Sequence, residues 1–594
     1  MVQRDQAGVT ERAHKRVLKK PASYLQGWSV CRKIAGAIPA LGGLFCYSLQ
    51  MRPDQNPIKI TDRVDLQIGR NRTEQIISSD TKQKPRVVLL RAPLFFAEGS
   101  IGNDISPSIG LAYLNGYLRK FGYTPLLIDG QGDAHDRITP LKKYPGYQIQ
   151  GLTFDEIFSQ IPDDVAIFGV SAMFSAEWLL TRDLINELKL RYPGAIIIAG
   201  GEHISATPEY SLRDCPGIDY CVCGEGEYVF LELCERISRG QAVEGVPGVA
   251  YLDEQRGYVQ KSDVTRIRNI DTIPWPYWPD GYLEKFWRSG KTHGVQTGRD
   301  MPLLMTRGCP YRCTFCSNPR MWTTRYVLRG VDDVIEEVKY YYEKYKVTSF
   351  QIYDLTAITK RSWFIELLHR LIELNLPVEW SFPSGTRSEV LDEEVLGLLK
   401  QVGTSYIVYA PESGSERTLK AIKKQIKLAD VLSSIDQAKK VGILTRANFI
   451  IGFPTETRTD IYKTFWVAIK CVVKGVDDVQ PYLFNPYPGS ELFDGFLDRH
   501  EVVLSDDYFL SISNQNSDAF NFSPLTFNKN MPVWELALYR MLMALSCYAI
   551  GYMIYPSRII RSIRNIYFGS RTDTVFESRL RAAVNRKKTD GKNK

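Results

Sequence analysis

Short apolar runs alternate with amphipathic stretches along most of this chain, and no other feature limits its folding so tightly. "RVVLL" (86–90), "PLLID" (125–129), "DVAIFGVS" (164–171), "AIIIAGG" (195–201) and "DYCVC" (219–223) have the length and composition of buried strands. Between them, stretches such as "WLLTRDLINELKLRYPG" carry the apolar spacing of helices. Strand and helix in alternation imply parallel pairing with helices on both faces, so a doubly wound α/β domain is expected over residues 86–270. Such sheets take ligands beyond the carboxyl ends of their strands, where "DGQGD", "SAMFS", "GGEH" and "GEGE" fall. Glu225 and Glu227 also have a plainer use there, as carboxylates at a helix N-terminus.

"DTIPWPYWPD" (271–280) breaks the periodicity, and residues 271–300 are expected to be a linker. The alternation then resumes with "PLLMTRG" (302–308), "SFQIYD" (349–354), "VEWSF" (378–382), "SYIVYA" (405–410), "RANFIIGF" (446–453) and "VQPYLF" (479–484). Six β/α units in series predict a partial (β/α)6 barrel or a second open sheet over residues 301–500.

A chain of 594 residues exceeds one core, and 44% hydrophobic with 24% charged residues is ordinary for a globular protein. Eleven scattered cysteines make a poor disulfide framework and point to a reducing, cytoplasmic setting. Cys215, Cys221, Cys223 and Cys234 match no usual metal spacing and are expected to be small buried hydrophobes. The net charge of +8 resides in the ends: residues 1–37 carry +6 and residues 557–594 carry +8. Residues 1–85 are therefore expected to be a basic, partly disordered arm, and residues 501–594 a helical, basic region. Two uncharged runs, Ile34 to Leu49 and Met541 to Tyr555, fall short of the roughly 20 residues of a bilayer span. The first matches a signal peptide poorly, and the second suits a core helix. The second has a sharper alternative, because Arg558, Arg561 and Arg564 follow it at a spacing of three, beside Ile559, Ile560, Ile563 and Ile566. That pattern predicts a basic stripe on an interfacial helix, hence peripheral membrane contact through the basic termini, at the inner membrane surface. Nucleic acid is the less favoured partner, because isoleucine and aromatic residues interleave the arginines.

"TRGCPYRCTFCSNP" (306–319) sets Cys309, Cys313 and Cys316 in one loop after the first strand of the second alternation. Active sites of parallel barrels lie at that end. Three thiolates suit zinc or three irons of a [4Fe-4S] cube. Structural zinc wants a fourth ligand, and His293 is the only histidine within fifty residues, so a cube with one bare iron is preferred.

The C-x3-C-x2-C spacing, with Phe315 before the last cysteine, resembles the signature of the radical S-adenosylmethionine (SAM) enzymes. "IYDLTA", "GTRSEVLDEEVLGLLKQVG", "APESGSERTLKAIKK", "FIIGFPTET" and "NPYPGSELF" resemble later parts of the same barrel. The resemblance implies that the bare iron chelates SAM, that electron transfer releases a 5'-deoxyadenosyl radical, and that an external one-electron reductant of flavodoxin or ferredoxin type is required. It implies SAM contacts from Phe315, Glu412, Ser413, Arg387 and Asp354. Read locally, Glu412 and Ser413 could instead cap the helix starting near Glu416, and Arg387 and Asp354 could form structural ion pairs.

"SPSIGLAYLNGYLRKFGY", "AIIIAGGEH" and "DYCVCGEGEYVFLEL" resemble the Rossmann-like cobalamin-binding domain that precedes the barrel in one branch of that family. The resemblance assigns cobalamin to Ser171, Ala172, Gly200, Gly201, His203, Gly224, Glu225, Gly226 and Glu227. The Asp-x-His-x-x-Gly motif that supplies histidine to cobalt elsewhere is absent, and His135 has the wrong spacing, which implies histidine-off cobalamin. By resemblance the chain is a cobalamin-dependent radical SAM enzyme that methylates an unactivated carbon of a small molecule, and the aromatic, then basic, C-terminal region with the basic N-terminal arm points to a lipophilic one. Two alternatives stand beside it. One uses the same cofactors for oxidative cyclisation or rearrangement; the other is a non-catalytic membrane-surface protein with a degenerate enzyme fold.

Overall fold

The computed structural model describes residues 84–98, 105–515, 525–568 and most of 572–581, without Asp263, Lys291, Val295 and Gln296. The arm before residue 84, with the run from Ile34 to Leu49, and the tail after residue 581 lie outside the described residues. The chain divides into a unit over Met1–Ile68 and a second over Gly69–Lys594, which is the one described below.

The first alternation supplies β1 (Val87–Arg91), β2 (Leu94–Ala97), β3 (Leu126–Asp129), β4 (Ile138–Pro140), β5 (Tyr147–Gln150), β6 (Ile167–Ser171), β7 (Ile196–Gly200), β8 (Tyr220–Val222), β9 (Val249–Leu252) and β10 (Tyr258–Gln260). Seven of them form one sheet in the order β10-β9-β8-β7-β6-β1-β3, parallel from β8 to β3. β1 is wholly apolar over Val88, Leu89 and Leu90 because it is paired on both sides and covered on both faces, and all three are fully buried. Parallel register brings Asp129, Arg91, Ser171, Gly200 and Val222 to one crest. The order reverses between β1 and β6, the place where doubly wound sheets open a crevice. The antiparallel pair β9–β10 and a small sheet, β2-β5-β4, extend this domain beyond the strands expected from the sequence.

The second alternation forms β11 (Asp300–Leu303), β12 (Thr306–Arg307), β13 (Val327–Leu328), β14 (Ser349–Ile352), β15 (Glu379–Thr386), β16 (Thr404–Glu412), β17 (Leu444–Ile451) and β18 (Asp478–Leu483). Six of these run parallel in sequence order, β11-β14-β15-β16-β17-β18. The run expected as a single strand over 302–308 is broken, because the Met305 N–H turns aside to donate to Asp354 Oδ2 at 3.0 Å. Thr306 and Arg307 then pair antiparallel with β13, which closes the cysteine segment into a loop.

The expected linker is a packed bridge. Trp278 and Tyr282 are stacked and buried, the Trp275 indole donates to Asp333 Oδ1 at 3.0 Å, and the Tyr277 N–H donates to Ala112 O at 3.0 Å. A side chain at Gly116 would come within 2.6 Å of Trp275 O, so only glycine admits this approach.

Cys215, Cys221, Cys223 and Cys234 are buried thiols. Two of the three arginines of the C-terminal stripe, Arg558 and Arg561, face inward instead of outward, while Arg564 is exposed. Arg558 donates to the carbonyls of Gly475 (2.6 Å) and Val476 (2.9 Å), and Arg561 pairs with Asp477 at 2.9 Å. A spacing of three records a shared helix face but not which way it turns, and here the acidic end of the preceding strand claims it.

The two sheets are joined by buried charges. Glu225 accepts from Arg266 Nε (2.8 Å) and from Arg307 (3.0 Å), and Glu227 accepts from Arg307 (2.7 Å). All four residues are at least nine-tenths buried. Arg307→Met, which strips buried carboxylates of their partner, should destabilise the protein by about 3–5 kcal/mol in chemical denaturation. A change below about 1 kcal/mol would mean that water replaces the guanidinium at little cost.

Candidate active site

The cysteine loop occupies residues 308–326 between β12 and β13. It begins at Gly308, whose φ of +88° and a would-be Cβ 2.2 Å from Arg325 O exclude any side chain. Its middle is clipped on both sides: the Thr314 N–H donates to Ile422 O, and Thr314 O accepts from the Leu492 N–H. Cys309, Cys313 and Cys316 are half-buried on this loop. Burial pushes all three thiols up, Cys316 to about 12, and the charges of Cys309 and Cys313 add to the rise at Cys316, so the three sulfurs lie within mutual electrostatic range. Arg387 and Lys424 act in the opposite sense on Cys309 and Cys313. Among the described residues no three His, Cys, Asp or Glu side chains converge on a single metal ion. A loop of separated thiolates flanked by two cations fits a cube, in which each thiolate takes a different iron.

β16 ends at Glu412, held in the left-handed region at φ 62°. Its carboxylate accepts from Lys424 Nζ at 2.9 Å, in a pair that is almost fully buried. Ser413 is fully buried and lies 3.0 Å from Thr464 Oγ1. The helix Glu416–Ala421 is capped by Ser415, so capping does not account for Glu412 or Ser413. Arg387 does form an ion pair, with Glu389, while its guanidinium lies 3.5 Å from the ring centroid of Tyr311 in the cysteine loop. Asp354 is buried, which raises its carboxyl to about 6, and it holds the Met305 N–H. Phe315 meets Phe453 edge to face at 5.6 Å.

Three residues here escaped the sequence reading: Lys424, Tyr311 and Glu456. Glu456 is completely buried and folds the turn after β17 by accepting from the Gly452 N–H (2.7 Å) and the Phe453 N–H (3.1 Å). A glutamate four residues beyond the glycine of "GFPTE" was the available signal. Nearby, both amide atoms of Asn485 and Oδ1 of Asn448 are buried without a protein partner. Buried polar atoms seldom stay unsatisfied, so the carboxyl end of β17 and β18 fits a polar ligand such as SAM.

At the crest of the first sheet, Arg91 forks onto Asp129 with two bonds of 2.7 Å, and Tyr282 donates to the same carboxylate at 2.6 Å. Glu177, raised to about 7 by burial, accepts from Gln131 at 3.2 Å. The backbone of Ser171, Ala172, Gly200 and Gly201 forms the neighbouring strand ends, with the Ala172 N–H donating to Gly200 O at 2.7 Å. Gly224 and Gly226 flank the adjacent turn. This crest of strand ends, glycines and buried amide and carboxyl groups suits a corrin edged with amides.

Three residues of the expected cobalamin set are engaged elsewhere. His203 is buried against Trp178 and Phe509, its Nδ1 lies 2.9 Å from Ser175 Oγ, and its Nε2 lies near Ser211 and Thr207. Burial lowers its pKa to about 3. Glu225 and Glu227 are spent on the arginines between the domains. Glu202, beside His203, instead accepts from Ser317, the residue after the last cysteine. The carboxyl ends of the two sheets therefore meet at the cysteine loop.

The Radical SAM superfamily model matches residues 303–465, and the B12 binding domain model matches residues 99–234. The chain belongs to the radical SAM enzymes that carry a B12-binding domain ahead of the barrel. It is an enzyme whose cofactors are a [4Fe-4S] cluster, SAM and cobalamin, which sets aside a non-catalytic, degenerate fold. It is 27% identical to the cytidylyl-2-hydroxyethylphosphonate methyltransferase of Streptomyces wedmorensis over 74% of this chain and 88% of that one. It is 27% identical to the anaerobic magnesium-protoporphyrin IX monomethyl ester cyclase of Rubrivivax gelatinosus over 68% of each. Its fold matches the radical SAM methyltransferase TsrM of Kitasatospora setae, solved with cobalamin and a [4Fe-4S] cluster, at a TM-score of 0.51 and 19% identity, covering 70% of this chain and 75% of that one.

Cys313→Ala should abolish iron retention and SAM cleavage while leaving cobalamin retention largely intact, since the ligands lie on different sheets; loss of both would mean that the loop organises both domains. Glu456 supplies a pH test. Burial raises its carboxyl to about 7, so the folded protein keeps a proton that the unfolded chain, at 4.5, has released. Its contribution is complete below the unfolded value and is lost as pH climbs through 7. Glu456→Gln keeps an acceptor for the Gly452 and Phe453 N–H groups, and should flatten the decline in stability between about pH 5 and 8 by up to about 3 kcal/mol. Identical slopes in the two proteins would place that proton on another group.

Proposed function

We propose that this enzyme methylates an unactivated carbon of a small, lipophilic substrate. The observation that carries the reading is the meeting of the two strand-end crests at the cysteine loop, joined through Ser317 to Glu202 and Arg307 to Glu225 and Glu227. Bound there, the cluster with SAM supplies a hydrogen-abstracting radical, and cobalamin supplies a methyl group. Cys309, Cys313 and Cys316 hold three irons, and Lys424 and Arg387 offset the negative charge of the thiolates. Glu412 and Ser413 hold SAM, with Phe315 packed near its adenine and Asp354 and Arg387 at its margin. The strand ends at Ser171, Ala172, Gly200 and Gly201, with the turn at Gly224 and Gly226, clasp cobalamin. Histidine-off binding is supported by His203, whose ring contacts are internal, and by His135, whose Nδ1 lies 3.2 Å from Gly132 O and whose Nε2 lies 3.1 Å from Asp136. The one-electron reductant is of flavodoxin or ferredoxin type, and the setting is the cytoplasm, at the inner membrane surface.

Methylation is preferred to cyclisation because the similarity to the phosphonate methyltransferase spans 88% of that protein, against 68% of the cyclase. The test uses cluster-reconstituted, cobalamin-loaded protein with SAM deuterated in its methyl group and candidate lipids. Expected are a trideuterated product and parallel formation of 5'-deoxyadenosine and S-adenosylhomocysteine. A product of unchanged carbon count, with 5'-deoxyadenosine but no S-adenosylhomocysteine, would favour cyclisation or oxidation.

A further inference from the structure

Two consecutive C-terminal helices have the polarity of a soluble helix reversed. The helix Val533–Ile554 contains two charged residues, Glu535 and Arg540, and both are buried. Its outward face is Trp534, Leu538, Leu542, Leu545, Ala549 and Met553, spaced by four, four, three, four and four, with Trp534 64% and Met553 73% exposed. The next helix, Ser557–Tyr567, repeats the arrangement. Arg558 and Arg561 are tied inward to Asp477, while Ile559, Ile560, Ile563 and Tyr567 face out, followed by Phe568 at 84% exposure. The helix Arg458–Lys474 lies alongside, joined through Tyr462 and Tyr539 hydroxyls 3.1 Å apart, and adds exposed Tyr462 and Trp466.

Exposed apolar side chains are ordinary when scattered, but a continuous face on three adjoining helices marks a surface with a partner. We propose that this face docks the enzyme on an anionic membrane, lying in the interface without crossing it. The helix Val533–Ile554 is long and apolar enough to span a bilayer. It is nevertheless fastened to the barrel: Glu535 pairs with Arg458 at 2.6 Å, and Tyr548 donates to Asp478 at the start of β18. A span would have to break these bonds and carry Glu535 and Arg540 into hydrocarbon. Flat against the surface, its roughly 33 Å length buries one face only. Trp534, Trp466 and Tyr462 supply rings suited to the headgroup level.

Charge selects lipid over a second copy of the chain. Exposed Lys463, Lys470 and Arg564 stand beside the apolar face, and the sequence continues with Arg581, Arg586, Lys587, Lys588, Lys592 and Lys594 against a single Asp590. A two-fold contact of this face would set Lys463, Lys470 and Arg564 against cations of the second copy, whereas an anionic leaflet would neutralise them. The proposal is independent of whether the reaction is methylation or cyclisation.

The experiment is flotation of the full-length protein with vesicles of phosphatidylglycerol and phosphatidylethanolamine, and with neutral phosphatidylcholine vesicles, at low and high salt. Expected are flotation with the anionic vesicles, a part of it surviving high salt, and loss of that part by about tenfold or more in Leu545→Glu/Ile560→Glu. Because both positions face outward, the variant should keep the parental melting temperature; Trp534→Ser/Met553→Ser serves as a second pair should the first misfold. Three outcomes would overturn the proposal: no flotation with either vesicle, flotation abolished by salt and indifferent to both variant pairs, or a dimer in sedimentation that the same variants dissociate.

Discussion

Arg307 stands two residues before the first cysteine of the loop and reaches across into the other domain, where Glu225 and Glu227 share its guanidinium. With Arg266 the group balances two cations against two carboxylates, and the Arg307 guanidinium also lies 4.7 Å from the ring centroid of Tyr113. Taking four charges out of water costs several kcal/mol for each, and mutual attraction offsets that only when every partner is in place. Such a network adds little to stability but punishes any other arrangement of the same surfaces. It therefore fixes the angle at which one crest of strand ends meets the other, and with it the placement of the cysteine loop against the β7 and β8 turns. A reaction that draws on two bound groups depends on that placement, since small misalignments between reacting centres cost orders of magnitude in rate.

The C-terminal segment reinforces the same geometry. Asp506, on the helix Asp506–Gln515, pairs with Arg182 of the first domain at 2.7 Å. Asn528 and Asn530 donate to the carbonyls of Phe453 and Glu456 and so brace the turn after β17. Residues that read from the sequence as a helical, basic tail thus hold the two domains and the turn after β17 together.

The sheets were legible because parallel strands buried on both faces are nearly pure apolar runs, and β1, β3, β7, β14 and β17 fell within a residue or two of the expected ranges. The cysteine loop was legible because its C-x3-C-x2-C spacing is local. What escaped depends on long-range partners. The proline-rich segment at 271–280 reads as a linker because prolines disrupt periodicity, yet its tryptophans pack between the helix Ile109–Lys120 and the barrel. His203 lies in the expected turn, but the hydroxyls that capture its ring come from Ser175, Thr207 and Ser211, and only the fold brings Ser175 alongside. Lys424 is twelve residues from Glu412 with a helix between, and nothing in their spacing announces a buried pair.

The same physics separates the two ways charge is used in this molecule. Between the domains, charged groups replace apolar packing where orientation has to be unique. In the helices at the barrel edge, Arg558 and Arg561 are again drawn inward, but there Asp477, just before β18, is the attraction, and apolar side chains are left outside. A chain selected only for solubility would place Arg558 and Arg561 in water and the isoleucines on the barrel, since that exchange removes both the desolvation of the arginines and the exposure of the isoleucines. Holding the reverse arrangement costs stability on both counts, and that cost is the physical argument for a partner on the outer face.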